Sequence, residues 1–234
     1  MEPDQAVIFC GVFTEVKSYY MSVFKYSERK WSELLLSCGG VRIGTLYDFR
    51  KDEHKRGVLD KHEGTKKVFH EIKKYSSNVK WGVDHAAVEK FGFIKGDGYT
   101  LADMRFERDF DASDCYVHCT AHLLSQSVMD EFDKADSCVE IFKVGAFYRR
   151  LTDVLNKINP VHFYGVHKIT YGERDELFNG ENFGVRPDLI KALRYKPQCE
   201  MRAIWIPKSK KRHIAPLNIE DKSLIKYCRE VTVT

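Results

Sequence analysis

The chain has 234 residues, 43% of them hydrophobic and 31% charged, and its 38 basic and 34 acidic side chains leave a formal net charge of +4. A globule of this size buries roughly 70% of its unfolded-chain surface, so a single domain over residues 1–234 is expected. No stretch reaches the roughly 18 apolar residues of a membrane helix, and the opening MEPDQAVIFCGVF lacks the basic and apolar regions of a secretion signal. A membrane partner is therefore not expected, and the expected location is the cytoplasm. Cys10, Cys38, Cys115, Cys119, Cys138, Cys199 and Cys228 are odd in number and scattered, which suggests buried thiols in a reducing compartment and no disulfide framework. The mild positive charge permits an anionic partner without demanding one.

In chain order, Thr14 to Tyr26 reads as extended, and Glu28 to Ser37 as a helix from the spacing of Trp31, Leu34 and Leu35. Cys38-Gly39-Gly40 stops that helix with residues that tolerate positive φ, Val41 to Leu46 follows as a strand and Tyr47 to Arg50 as its exit. Lys51 to Asp111 is charged and punctuated by glycines, which suggests long loops with short strands at Lys66 to Ile72 and Phe91 to Ile94. Asp114 to His122 and Cys138 to Val144 read as strands around a polar, helix-compatible Ser125 to Ala135; Ala146 to Asn156 reads as a helix stopped before Pro160. Val161 to Tyr171 is β-like, Pro187 to Leu193 a helix opened by proline, and Cys199 to Ile206 a strand. Lys208 to Arg212 then turns into a strand over His213 to Ile219, with Asp221 to Tyr227 as a closing helix or turn. Strands outnumber helices and few βαβ units occur, which predicts an α+β fold with mixed, mostly antiparallel sheets and flanking helices.

There is no GxxxxGK[ST], GxGxxG or HExxH, so P-loop, Rossmann and zincin chemistry have no motif here. Three segments hold the chemistry-bearing residue types. Phe24-Lys25-Tyr26-Ser27 offers Lys25 as a phosphate or ribose donor and Tyr26 as a stacking face, against the plainer use of a solvated strand edge. Leu46 to His54, followed by Asp60 to Thr65, gathers aromatic, arginine and carboxylate groups on glycine-bearing loops, although charge runs are more often solvated faces. In Tyr195 to Trp205, strand alternation puts Glu200, Arg202 and Ile204 on one face and Met201, Ala203 and Trp205 on the other. A carboxylate opening a buried strand is either paired, with Arg202 or another base, or used. Cys115-Tyr116-Val117-His118-Cys119-Thr120-Ala121-His122 resembles a zinc sequence in composition, but alternation separates its histidines from Cys115 and Cys119, so core packing is the expected use of the cysteines and no metal site is expected.

Together these segments, in order from residue 24 to about 206, resemble a bacterial family linked to abortive-infection and phage-defence loci, itself similar to a divergent ADP-ribosyltransferase fold. The features that carry the resemblance are Phe24 to Gly40, Ile43-Gly44-Thr45-Leu46-Tyr47-Asp48-Phe49-Arg50 with Glu53, Asp60, Glu63 and Gly64, the strand Tyr116 to Thr120, and Glu200-Met201-Arg202. The resemblance implies an enzyme that uses NAD as substrate without a metal. By position, Lys25 takes the place of the His or Arg that binds the adenosine ribose, Tyr47 or Thr120 the nicotinamide side, and Glu200 the catalytic carboxylate. Tyr26 and Arg50 join the NAD-binding set.

The basic turn Lys208, Lys210, Lys211 and Arg212 could track a phosphate backbone beside Trp205 and Tyr195, which favours RNA or DNA slightly over protein as the macromolecular acceptor. An antitoxin or regulatory protein is a further expected partner. Two rivals stand beside this reading: a metal-dependent nuclease using Asp48, Glu53, Asp60 and Glu63, and a non-enzymatic binding or antitoxin-like module.

Overall fold

The computed structural model describes residues 22–51, 60–209 and 214–233. Strand β1 (Val23–Ser27) leads into helix α1 (Arg29–Cys38), which ends at Gly39 in the left-handed conformation, φ +70°. A side chain there would bring its Cβ to 1.9 Å from the Asp221 carbonyl oxygen, so both backbone angle and space require glycine. Strand β2 (Gly40–Thr45) follows, then one turn of 3-10 helix over Asp48–Arg50. A long hairpin is built from β3 (Thr65–Ser76) and β4 (Thr100–Asp111), with α2 (Gly82–Phe91) between them. Strand β5 (Tyr116–Ala121), the short α3 (Gln126–Met129), β6 (Ser137–Ile141) and the long α4 (Val144–Ile158) come next. The remainder is β7 (Val161–Lys168), β8 (Thr170–Tyr171), β9 (Asp175–Leu177), β10 (Ile190–Lys191), β11 (Glu200–Pro207), β12 (Leu217–Glu220) and β13 (Cys228–Val231).

Strand β5 is the axis of the main sheet. Its six residues pair antiparallel with β11 along their whole length, Tyr116 with Trp205 through Ala121 with Glu200, and β7 lies outside β11. A strand has only two edges, so β2 and β1 must share the other one. Strand β2 takes its beginning, at Val117 and Tyr116, and β1 takes its end, at Ala121. Between these two pairings β1 and β2 diverge, β1 toward β6 and β13 and β2 toward β12. Among the described residues no strand pairs with His118 to Thr120 on that side, and a gap in the sheet results.

The larger core lies on the face covered by α1 and α4, where Val23, Ile43, Val139, Phe147, Leu151, Ala203 and Trp205 are buried together. The opposite face carries a smaller cluster of Leu46, Phe49, Cys115, Val117 and Ile204. A second core belongs to the hairpin, where Val68, Ile72, Ala87, Phe91, Phe106, Phe178 and Phe183 pack between α2 and a sheet ordered β4-β3-β9. Most pairings are antiparallel, with parallel pairs only at β3–β9 and β8–β10 among the described strands. The molecule is thus α+β with mixed, mostly antiparallel sheets.

The regular elements follow the sequence pattern closely and the irregular middle does not. The expected strand at Phe91 to Ile94 is instead the end of α2 and its exit: Gly92 adopts φ +67°, and Ala87, Val88 and Phe91 form the helix's buried stripe. Strand β4 hides behind its charges because it is the sheet edge and most of its side chains are exposed. The expected helix over Pro187 to Leu193 is one turn of 3-10 helix, Pro187–Leu189, running into β10. Residues 14–21 of the first extended run and 210–213 of the basic turn lie outside the described residues. No helix among the described residues is long and apolar enough to cross a membrane.

Candidate functional site

Strand β11 begins under constraint. Cys199 holds the left-handed conformation, φ +48°, which costs a residue with a Cβ about 1–3 kcal/mol and persists where the surrounding structure holds it. The next backbone N–H, of Glu200, donates to the Tyr171 hydroxyl at 2.7 Å. Glu200 is 4% exposed, and both its carboxylate oxygens are occupied: Arg202 Nε donates to Oε1 at 2.6 Å and Lys191 Nζ to Oε2 at 2.7 Å. Arg202, wholly buried, extends the chain through a bidentate pair with Glu63 at 2.8 and 2.9 Å and donates to the Asp188 carbonyl at 2.9 Å. Lys191 also donates to Gln198 Oε1 at 2.8 Å.

These contacts decide the protonation of Glu200. Burial alone raises a carboxyl pKa, but the Arg202 and Lys191 charges override it and hold Glu200 far below the usual carboxylate range. For Lys191 burial works against the charged form, and Glu200 again reverses the balance and raises its pKa. The carboxylate is therefore ionised at neutral pH and fixed from both sides. Each of its oxygens has more than one lone-pair site, so the two ion pairs leave acceptor capacity on the carboxylate.

Lys25 stands at the gap between β1 and β2. Its side chain leaves β1 on the face of Thr120, and its ammonium donates to the Cys119 carbonyl, 2.9 Å away, on the stretch of β5 that β1 and β2 leave unpaired. Burial lowers the Lys25 pKa, and its nearest charge neighbours include Glu200, which opposes that shift, and Arg42, which adds to it. Alternation along β2 puts Arg42 on the face of Gly44, Val117 and Glu200. Lys25 thus feels the charges of Glu200 and Arg42, although its side chain leaves β1 on the face opposite Glu200. On the far face, His118 Nδ1 lies 3.0 Å from the Tyr148 hydroxyl, and burial, then Lys25, keep His118 neutral by lowering its pKa well below the usual range.

The other expected site residues separate. Thr120 lies on the Met201 face of the sheet, buried and opposite Glu200, so β5 does not bring it to that carboxylate. Tyr26 is packed rather than open: its ring stacks on Phe132 with centroids 6.1 Å apart, and its hydroxyl donates to the Leu123 carbonyl and accepts from Ser125 N–H. Tyr47 and Arg50 form their own unit, with the guanidinium 4.1 Å from the ring centroid. Arg50 Nε donates to the Glu63 carbonyl at 2.7 Å and Nη2 pairs with Asp111 at 2.6 Å, which commits it away from the gap. Lys208 is exposed, while Lys210, Lys211 and Arg212 lie outside the described residues.

Of the four carboxylates of the nuclease rival, Asp48 pairs with Arg42 and Lys51, Asp60 with Arg174 and Glu63 with Arg202. Glu53 lies outside the described residues. Cys115, just before β5, and Cys119 within it join the cluster with Val117 and Ile204 while His118 turns to Tyr148, the separation that alternation predicts. Burial pushes the Cys119 thiol up to about 12.

Arg42 and Lys191 were missed in the sequence. An exposed arginine alternating with buried Val41 and Ile43 was the legible signal for the first. Lys191 reaches Glu200 from an irregular segment with no periodicity to read. Compared with known proteins, the chain matches no family model, no curated protein and no solved structure.

Proposed function

We propose that this chain is an ADP-ribosyltransferase, a cytoplasmic effector of the phage-defence type that it resembles in sequence, transferring ADP-ribose from NAD to a macromolecular acceptor. The observation that carries the reading is Glu200, an ionised carboxylate anchored by Arg202 and Lys191 at the start of β11, whose charge reaches Lys25 on β1. In the proposed reaction the bond between nicotinamide nitrogen and ribosyl carbon breaks, nicotinamide leaves with the bonding pair, and positive charge develops on the ribose. A fixed carboxylate bonded to the ribose 2-hydroxyl stabilises that charge more than it stabilises bound substrate, which is the condition for acceleration. An acceptor nucleophile then takes the ribosyl carbon and loses its proton.

Lys25 keeps its assignment to the dinucleotide, and Arg42, half-exposed and paired with Asp48 through Nη2, joins Arg50, which Glu63 and Asp111 engage, as a candidate second cation for the pyrophosphate. The nicotinamide side is left without an assigned residue, because Tyr47 stacks with Arg50 and Thr120 lies on the opposite face from Glu200. Nucleic acid remains the favoured acceptor, through the basic residues Lys208 to Arg212 that follow β11 in sequence.

The test is incubation of the protein with labelled NAD and cell lysate, with release of nicotinamide measured and the labelled product digested separately by nuclease and by protease. Release of nicotinamide with nuclease-sensitive label supports the full reading, and protease-sensitive label moves the acceptor to protein. Intact NAD and no labelled product would overturn it, and chelator-sensitive nucleic-acid cleavage would replace it with the nuclease.

A further inference from the structure

Five side chains of opposite and alternating character are linked in a buried line: Glu63, Arg202, Glu200, Lys191 and Gln198. Burying ions costs several kcal/mol each, and apolar side chains of similar volume often stabilise a core as well or better, so stability alone is a weak reason for such a line. Its members come from separate parts of the chain. Glu63 belongs to the segment that also contacts Arg50, Arg202 and Glu200 to β11, and Lys191 to β10.

We propose that Glu63 and Lys191 are positioning residues: Glu63 acting through Arg202, and Lys191 directly, hold the Glu200 carboxylate ionised and in one orientation beside the gap between β1 and β2. This rests on the function proposed above for its catalytic consequence, but the clamp itself is a property of the folded chain. The geometry divides the work between them. Glu63 takes both terminal nitrogens of Arg202, which turns the remaining Nε toward Glu200 Oε1; Lys191 fixes Oε2 from the other side. With either partner gone, the carboxylate keeps its burial and loses half of its restraint.

The groups that face Glu200 are Arg202 on its own strand, Lys191 from β10, Lys25 from β1, Cys119 from β5 and the Tyr171 hydroxyl from β8, with Glu63 behind Arg202. Removing one opposite charge from beside a buried carboxylate raises its pKa by about 1 to 3 units.

The experiment follows the Glu200 carboxyl resonance by carbon-13 NMR in the full-length protein, alongside the pH profile of NAD consumption. The resonance is identified by its loss in Glu200→Gln. In the wild type it should remain ionised below the ordinary glutamate range. Lys191→Met should raise its titration by about 1 to 3 pH units and bring the acid limb of kcat/KM up with it, and Lys191→Arg should restore the wild-type profile. Glu63→Gln should lower kcat about a hundredfold with KM little changed, the scale of a misoriented catalytic group.

A Glu200 that titrates in the ordinary range in the wild type, or does not move in folded Lys191→Met, overturns the clamp. Should neither variant fold, the wild-type titration alone decides. A titration that moves as stated in a protein that leaves NAD intact supports the clamp and removes the transferase reading; normal NAD turnover with an unmoved titration does the reverse.

Discussion

Glu200 neutralises the two cations that hold it, so its removal has a structural effect whether or not it has a chemical one. Glu200→Gln leaves Arg202 and Lys191 under-compensated in a buried place and should destabilise the fold by about 3–5 kcal/mol. A melt cannot by itself separate the structural from the catalytic role, and turnover per folded molecule is the measurement that does. Under the transferase reading that turnover should fall by roughly two to four orders of magnitude, with NAD affinity little changed; full activity in the folded fraction would withdraw the catalytic role. A second residue-scale expectation concerns His118. Its folded pKa lies well below the ordinary 6.5, so the unfolded chain binds the extra proton first as pH falls. The stability it contributes is therefore complete above pH 6.5 and declines below that, at up to about 1.4 kcal/mol per pH unit. Urea unfolding at pH 7.5 and 5.5 should show the loss in the wild type and a smaller one in His118→Gln, which keeps an acceptor for Tyr148 but does not titrate. Equal losses in both would contradict a neutral, buried His118.

Among the elements, the junction of α1 and β2 is the most constrained by local chemistry. Gly39→Ala places a Cβ into the Asp221 carbonyl and a non-glycine residue at positive φ, so it should cost at least about 2 kcal/mol, read as a lower urea midpoint with unchanged slope. This glycine was legible in the sequence, as were α1, α4, β5 and β11, because each has a clean period and a buried face. The alternation of Glu200 and Arg202 was legible too, and it raised their pairing as one of two uses for the carboxylate. What the sequence did not disclose were contacts between elements without periodicity. Glu63 meets Arg202 across 139 positions, and Lys191 reaches Glu200 from a two-residue strand. Thr120 and Tyr26 were misplaced for a related reason: a strand's pattern says which residues share a face, and not which face turns toward a site. Strand β4 escaped notice because an edge strand has little of the buried alternation that marks an inner one.

At the scale of the molecule, two cores support different work. The hairpin of β3 and β4 with α2 has its own aromatic cluster around Phe91, which packs on Phe106, Phe178 and Phe183. Phe91→Ala should destabilise by about 3–5 kcal/mol, and hydrogen exchange should show lost protection in β3 and β4 while β5 and β11 keep theirs. Uniform loss of protection would mean that the two cores unfold as one. The main sheet has a different dependence, set by where its borders come from. Strand β12 lies against β2 and β13 against β6, so residues 217–231 supply the outer strand at each end of the order β12-β2-β5-β1-β6-β13. During synthesis on the ribosome the inner strands emerge first, and β2 and β6 present bare backbone edges until these closing residues clear the exit tunnel. A translation product halted after residue 208 therefore displays two adhesive borders at once, and is expected to be bound by chaperones or to aggregate, whereas one released after residue 231 is closed on both sides.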